Sequence, residues 1–282
     1  TNGLPDKTET GLSLMSVGLG ASHTQRWENT SLALTADYSN LAPYTGLVNQ
    51  NIKWHHAPES IGGSLVFRHK TSATGMLKAY SSYNTSKLAL EQPTPDGHTN
   101  NINLSNDNYF GNTTFQGLLT EKTTLQAGVS YMRNNDKVHV DEQHITEQEN
   151  TLQAKTMLEH QAAEPLWLKI GTELTLRKYE QQYQQTRQQQ SINAGFTESL
   201  PALFAEADWY LSNSFVARAG ARAEYSALLR KANLAPRLSL AYKLNQSSQL
   251  SAAYGRFYQL PEAQFLKIND ELGYENATHY IL

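Results

Sequence analysis

No cysteine occurs in the 282 residues, which excludes a disulfide framework and thiolate metal sites together. Nor is there any run of about 18 apolar residues, so no helix of this chain crosses a bilayer. Charge is sparse and nearly balanced, with 23 Lys and Arg against 26 Asp and Glu. The resulting net −3 and an isoelectric point near 6.3 leave no electrostatic footprint for nucleic acid. The opening TNGLPDKTET has neither a basic n-region nor an apolar h-region and is not a signal peptide. The closing ENATHYIL stops in mid-strand, so we expect a piece of something longer. No G-x-S-x-G elbow, phosphate loop or H-E-x-x-H is present, so no catalytic motif selects an enzyme class.

What the chain does have is alternation. In Asn233–Tyr258, Leu234, Pro236, Leu238, Leu240, Tyr242 and Leu244 take every second position, with Ala235, Arg237, Ser239, Ala241 and Lys243 between them. After the turn Asn245–Ser248 the pattern restarts with Leu250, Ala252 and Tyr254. A period of two puts each set on one face of a strand, and two such runs across a polar turn form an antiparallel hairpin. One face is apolar and ends in tyrosines; the other carries Arg237 and Lys243. Lipid on one side and a wet lumen on the other impose that pattern. A hydrophobic content of 39% and a mean hydropathy of −0.55 do not contradict it, because the apolar band hides in alternate positions. Fifteen Tyr and four Trp suit membrane interfaces and all-β proteins alike.

The same reading predicts about thirteen strands of roughly 9–14 residues, near the ~9–11 that cross a bilayer at a tilt. Runs include Gly11–Ser22, Thr30–Asn40, Ser60–His69, Gly75–Leu90, Tyr109–Leu119, Thr123–Arg133, Thr151–Gln161, Leu166–Tyr179, Leu203–Leu211, Phe215–Tyr225 and Glu275–Leu282. Short turns fall at 71–74, 120–122, 163–165, 212–214 and 245–248, and long loops at 41–58, 91–108, 137–149, 181–194 and 260–274. Short turns on one side and long loops on the other are the asymmetry of outer-membrane barrels. The expected fold class is therefore all-β, a transmembrane antiparallel barrel, with residues 1–282 forming part of one barrel domain. A secreted β-sandwich or solenoid also alternates and remains the competing fold.

Candidate chemistry is thin. His55 and His56 with Glu59 have metal-ligand types, but a solvated loop explains them as well. His139, Asp141, Glu142 and His144 form a second cluster; on one strand His139 and Asp141 share a face and His144 does not. Asn106-Asp107-Asn108 offers oxygen ligands without the glycine and terminal glutamate of a calcium loop. No cofactor and no metal site are expected. Arg68, Lys169, Glu173, Arg177, Arg218, Arg222, Glu224, Arg237 and Lys243 fall opposite the apolar stripes, either as lumen ion pairs or as contacts for a polar solute. Tyr44 and Trp54, in a long loop, are placed to stack on a ligand or to mark the interfacial belt. The ligand-binding candidates are Tyr44, Trp54, Arg218, Arg222 and Arg237.

The segments SLMSVGLGASHTQRWENTSLAL (Ser13–Leu34), APESIGGSLVFRHKTSATGMLKAYSSY (Ala57–Tyr83) and NLAPRLSLAYKLNQSSQLSAAYGRFYQLPE (Asn233–Glu262) resemble the barrel of TonB-dependent outer-membrane receptors of the Bacteroidetes type. That resemblance implies the middle portion of a plugged barrel of ~22 strands, without the plug or the remaining strands. It implies energised uptake of a scarce nutrient (siderophore, haem, cobalamin, glycan or peptide) across the outer membrane of a Gram-negative bacterium, with no catalytic step. The implied partners are the receptor's own plug domain, the TonB–ExbB–ExbD complex, the lipid bilayer and the small ligand; a surface lipoprotein is left open, and nucleic acid is not among them. The alternatives are an outer-membrane barrel enzyme and a secreted surface-binding β protein.

Overall fold

A computed structural model describes residues 3–48 and 52–282. Its strands are β1 (Glu9–Met15), β2 (Gly18–Arg26), β3 (Thr30–Asn40), β4 (Lys53–Lys70), β5 (Met76–Pro93), β6 (Thr99–Thr120) and β7 (Thr123–Val140). They continue as β8 (Gln143–Ala163), β9 (Leu166–Gln185), β10 (Gln190–Ser212), β11 (Phe215–Ser226), β12 (Lys231–Lys243), β13 (Gln249–Gln259) and β14 (Glu275–Ile281). Two short helices, α1 (Ala42–Leu47) and α2 (Ala263–Leu266), interrupt two connections. All 14 strands hydrogen-bond in sequence order in one sheet. The pairings from β1 to β5 and from β10 to β14 are antiparallel. By packing, the chain divides into two units: Thr1–Thr113, Ser130–Thr151 and Lys178–Gly195, and Thr114–Val129, Leu152–Arg177 and Phe196–Leu282.

Four expectations need correction. There are 14 strands among the described residues, not about thirteen, because Gly11–Ser22 is two strands folded at residues 16–17. Strand lengths run from 7 residues in β1 to 23 in β10, well beyond the expected upper bound. Three segments expected as long loops are mostly strand: 91–108, 137–149 and 181–194 shrink to connections at 94–98, 141–142 and 186–189. The loop expected at 41–58 ends at Lys53, so Trp54, His55 and His56 lie on β4; residues 49–51 of that loop, and Thr1 and Asn2 of the polar start, lie outside the described residues. The first arises from a two-residue turn at Ser16 and Val17 that has no Pro or Asn to mark it; the other three share one physical reason. A ladder is held by backbone hydrogen bonds, and a strand wet on both faces keeps them while losing its apolar alternation. Asn, Gln, Asp and Thr then look like a loop in the sequence and pair as strands in space.

Where alternation does exist, the register stacks it into apolar rows within each unit. In the second unit one face carries Ala207, Ala219, Leu238, Tyr254 and Tyr280 as successive cross-strand partners. Trp209, Ala217, Leu240 and Ala252 form the next row and Phe215, Tyr242 and Leu250 another. In the first unit, Leu14, Leu19, Tyr38 and Ile61 line up, as do Leu32, Phe67 and Ala79. Almost none of this is covered. Among the described residues only Tyr179, Phe196, Ala202, Leu229, Ala235 and Leu266 are buried hydrophobics. The four of these on strands sit on the face opposite the apolar rows. Leu234, Leu238 and Leu240 stay 59%, 53% and 48% exposed. Leaving half of each such leucine in water forgoes about 1 kcal/mol, and over a whole face of such residues this calls for a non-aqueous neighbour.

Rings mark an edge of the apolar rows in each unit. Phe215 and Tyr242 lie 6.3 Å apart beside the short turns. In the first unit Tyr109 and Tyr131 are 6.1 Å apart, on the side of its strands away from the turn at 121–122. There Tyr38, Tyr83 and Tyr131 donate their hydroxyls to Glu59 (2.8 Å), Asp107 (3.0 Å) and Asn150 (2.9 Å). An apolar ring with a hydrogen-bonded tip suits a boundary between hydrocarbon and water.

Candidate functional site

The polar face of the second unit is organised by carboxylates and cations two residues apart on neighbouring strands, where cross-strand and diagonal pairs come within reach. Asp208, 5% exposed, accepts from Lys169 at 2.9 Å and from the Arg218 guanidinium. Lys169 also reaches Glu206 at 3.3 Å, and Arg218 reaches the same carboxylate at 3.5 Å. A second network runs from Lys155 to Glu173 (3.6 Å), on to Arg222 (3.2 Å), to Glu224 (3.0 Å) and to Asn233 (2.8 Å). Two of the arginine candidates are therefore held by carboxylates of the wall itself. Arg237 differs: its guanidinium lies 4.9 Å over the Phe257 ring, and no carboxylate pairs with it among the described residues.

Arg222 and Arg237 line one cavity of about 390 Å³, together with Lys155, Lys169 and Phe204. Phe204 crosses the sheet onto Gly171, where a Cβ would also meet the Thr156 carbonyl oxygen at 2.6 Å. Glycine there lets the ring tip approach the backbone closely, and Lys155 sits 5.1 Å over the ring. Arg218 is not among the residues lining this cavity, and Tyr44 and Trp54 belong to the other unit. Tyr44 stands exposed on α1, while Trp54 is partly covered in register with Leu90.

Above the tyrosine edge, the first unit carries ordered polar clusters. Glu59 accepts from Tyr38, His56 (2.8 Å) and Lys87 (3.1 Å). The Tyr38 hydroxyl, then Lys87 and His56, hold its carboxyl well below its ordinary 4.5, at about 2. His55 instead meets Glu91 at 2.7 Å, and Glu91 is also lowered, first by Lys53 and then by His55. The adjacent histidines thus turn to different carboxylates. The Glu59 group contributes fully to stability above its unfolded value of 4.5, and that contribution is lost only as pH falls through about 2. Isotope-edited infrared spectra should therefore keep the Glu59 carboxylate band at pH ~3.5, a band absent from Glu59→Gln. Its disappearance by pH ~4 would show that the cluster does not hold.

The other two motifs also fall into place. The tight turn at 141–142, with Asp141 at φ 53°, makes His139 and His144 neighbours across the hairpin, rings edge-on at 4.3 Å. That corrects the expectation that His144 lies off the shared face, which held only for a single strand. Asn106 lies on β6, donating to Asn134 at 2.9 Å and Asp136 at 2.6 Å. Among the described residues, no three His, Cys, Asp or Glu side chains gather closely enough to hold a metal ion.

Several ordering residues were not singled out in the sequence. Asp208 and Glu206 were legible as acids alternating with Ala207 and Trp209, opposite Arg218. Glu198 carried no such signal. It is 1% exposed and accepts from the Ser226 hydroxyl and from the amides of Ala227 (2.9 Å) and Leu228 (3.3 Å), closing the turn after β11. Nearby, Lys231 donates to the carbonyls of Glu271 (3.4 Å) and Leu272 (3.0 Å) and ties down the connection from β13 to β14. Burial, with Glu224 and Glu198 close by, pushes the Tyr274 phenol up to about 12.

A sheet with one bare apolar face edged by aromatic rings and one ion-paired, hydrated face is the wall of a transmembrane β-barrel. The family model for the TonB-dependent receptor-like β-barrel matches residues 7–277, and the chain belongs to that family. Similar solved structures include the ferripyoverdine receptor of Pseudomonas aeruginosa, at 9% identity and TM-score 0.68 over 87% of this chain and 41% of that one. The siderophore receptor PirA of Acinetobacter baumannii matches at 13% identity and TM-score 0.63, over 93% and 44%. The RagAB peptide transporter matches at 10% identity and TM-score 0.63, over 90% and 37%. The chain thus spans less than half the length of these structures. No curated protein sequence matches it.

Proposed function

We propose that this chain is part of the barrel wall of a receptor in the outer membrane of a Gram-negative bacterium, and that the receptor takes up a scarce nutrient by TonB-coupled transport rather than by catalysis. The observation that carries this reading is the inverted burial: leucines bare on one face, and Asp208, Glu173 and Arg222 packed into ion pairs on the other. The family supports TonB coupling, and the names of similar structures, siderophore receptors and a peptide transporter, support nutrient uptake. The partners in this reading are a plug domain of the same receptor, the TonB–ExbB–ExbD complex, lipid and, as a cap, a surface lipoprotein. Arg218 and Arg222 stiffen the wall, while Arg237, with Tyr44 and Trp54 towards the loops, meets solute or plug.

The test is uptake of labelled siderophore, haem, cobalamin, glycan and peptide pools by cells carrying or lacking the gene. One pool should enter only when both this gene and tonB are intact. Arg237→Ala should slow that uptake several-fold while leaving the amount of folded receptor in the membrane unchanged. Uptake indifferent to tonB, or recovery of the protein in the soluble fraction, would refute the proposal.

A further inference from the structure

The polar face of the first unit holds a cavity of about 590 Å³ whose chemistry differs from that of the ion-paired wall. Its apolar side is built by Leu88, Leu104, Val138 and Ile145, and its polar side includes Asp136 and Glu147. A concave, mainly apolar site of this size with a few fixed polar groups is the usual form of a small-molecule pocket. Both carboxylates are braced by amides: Asp136 accepts from Asn106 at 2.6 Å and from Asn134, and Glu147 accepts from Gln181. Asn134 is itself fixed by Asn108 at 3.1 Å.

An amide donor orients a carboxylate without cancelling its charge, whereas Lys or Arg does both. Asp208 and Glu173 have cations of their own within 4 Å, but neither Asp136 nor Glu147 has one among the described residues. The two lysines bordering the cavity act elsewhere: Lys87 pairs with Glu59 at 3.1 Å, and Lys137 lies beside Asp107. The cavity therefore keeps two oriented negative charges next to a hydrocarbon wall. Both side chains are half-buried, so their charge is only partly screened by water, and a cationic group entering the cavity gains from both.

We propose that this cavity binds an amphipathic molecule with an ammonium or guanidinium group, the cation on Asp136 and Glu147 and the apolar body on Leu88, Leu104, Val138 and Ile145. The assignment rests on the uptake reading and narrows it: the ligand at this point of the wall is cationic or carries a cationic arm, and polyanionic ligands are disfavoured.

Dansylcadaverine, with an aromatic body and a primary ammonium, is a suitable probe for the full-length protein in detergent micelles, with protein-free micelles as the partition blank. Saturable binding is expected, at least tenfold tighter than that of the anionic dansylglycine. The double variant Asp136→Asn/Glu147→Gln keeps both side-chain shapes and should weaken dansylcadaverine at least tenfold, with heat-modifiable gel mobility confirming that it folds. Absence of saturable binding, equal affinity for the two dyes, or equal affinity in parent and double variant would each overturn the assignment. The dye comparison on the parent protein needs no variant. It is also independent of TonB, so loss of the cavity assignment leaves TonB-dependent uptake standing, and failure of uptake leaves dye binding as measured.

Discussion

Leu238→Arg is expected to destabilise the folded protein in a bilayer by about 2–4 kcal/mol, the cost of a cation near the membrane midplane on a barrel's lipid face. Leu238 sits in the row Ala207, Ala219, Leu238, Tyr254, with two further apolar rows between it and the short turns. At 53% exposure it touches too little protein for the loss of packing to explain such a cost. The control is Ser251→Arg on the opposite face of β13, where the register partner is Ala241 and the surroundings are wet. There the change should stay within about 0.5 kcal/mol, as for ordinary surface substitutions. Urea unfolding in phosphatidylcholine vesicles, followed by tryptophan emission, measures both. Equal costs at the two positions would mean that the faces share one solvent, and the barrel reading would fail. In water the expected order reverses, since arginine at an exposed leucine is then neutral or favourable.

The faces were legible in the sequence wherever lipid and water alternate along a strand. In Phe215–Tyr225 and Asn233–Leu244, side-chain parity alone assigned Ala217, Ala219 and Leu238 to one side and Arg218, Arg222 and Arg237 to the other, and the register agrees. Above the membrane that signal vanishes. In 99–108, 137–149 and 181–194 polar residues dominate, the few apolar ones such as Leu104, Val138 and Ile145 are too sparse to mark parity, and hairpins read as loops although their ladders continue. His139 and His144 show the consequence: their contact depends on a turn at 141–142 that only the folded register reveals. Parity did identify the cations of the wall. It did not reveal which are satisfied, because Arg218, Arg222 and Arg237 occupy equivalent positions in the pattern. Only the placement of Asp208 and Glu173 against Phe257 separates two structural arginines from one left for other contacts. The amide-braced pair Asp136 and Glu147 was beyond reach for the same reason, since both lie in stretches assigned to a loop or its edge.

Asp208→Ala should cost about 3 kcal/mol, the lower end of the penalty for removing one partner of a buried ion pair. Asp208 is 5% exposed, and its loss leaves two cations, Lys169 and Arg218, without their closest acceptor. Two features moderate the effect. Arg218 is half exposed, so water screens part of its charge. Glu206 also lies within 3.3 Å of Lys169 and 3.5 Å of Arg218 and takes up part of the load. Arg218→Met alone should cost less than Asp208→Ala, since Asp208 then keeps Lys169 at 2.9 Å. The triple change Lys169→Met, Asp208→Leu, Arg218→Met removes charge and desolvation together and should return stability close to the parent. Thermal unfolding of the four proteins in one detergent separates these outcomes. If Asp208→Ala and the triple variant are equally unstable, the network owes its value to packing. If neither differs from the parent, the wall is wet enough that these pairs contribute nothing, and Arg218 becomes as free as Arg237 to meet a solute.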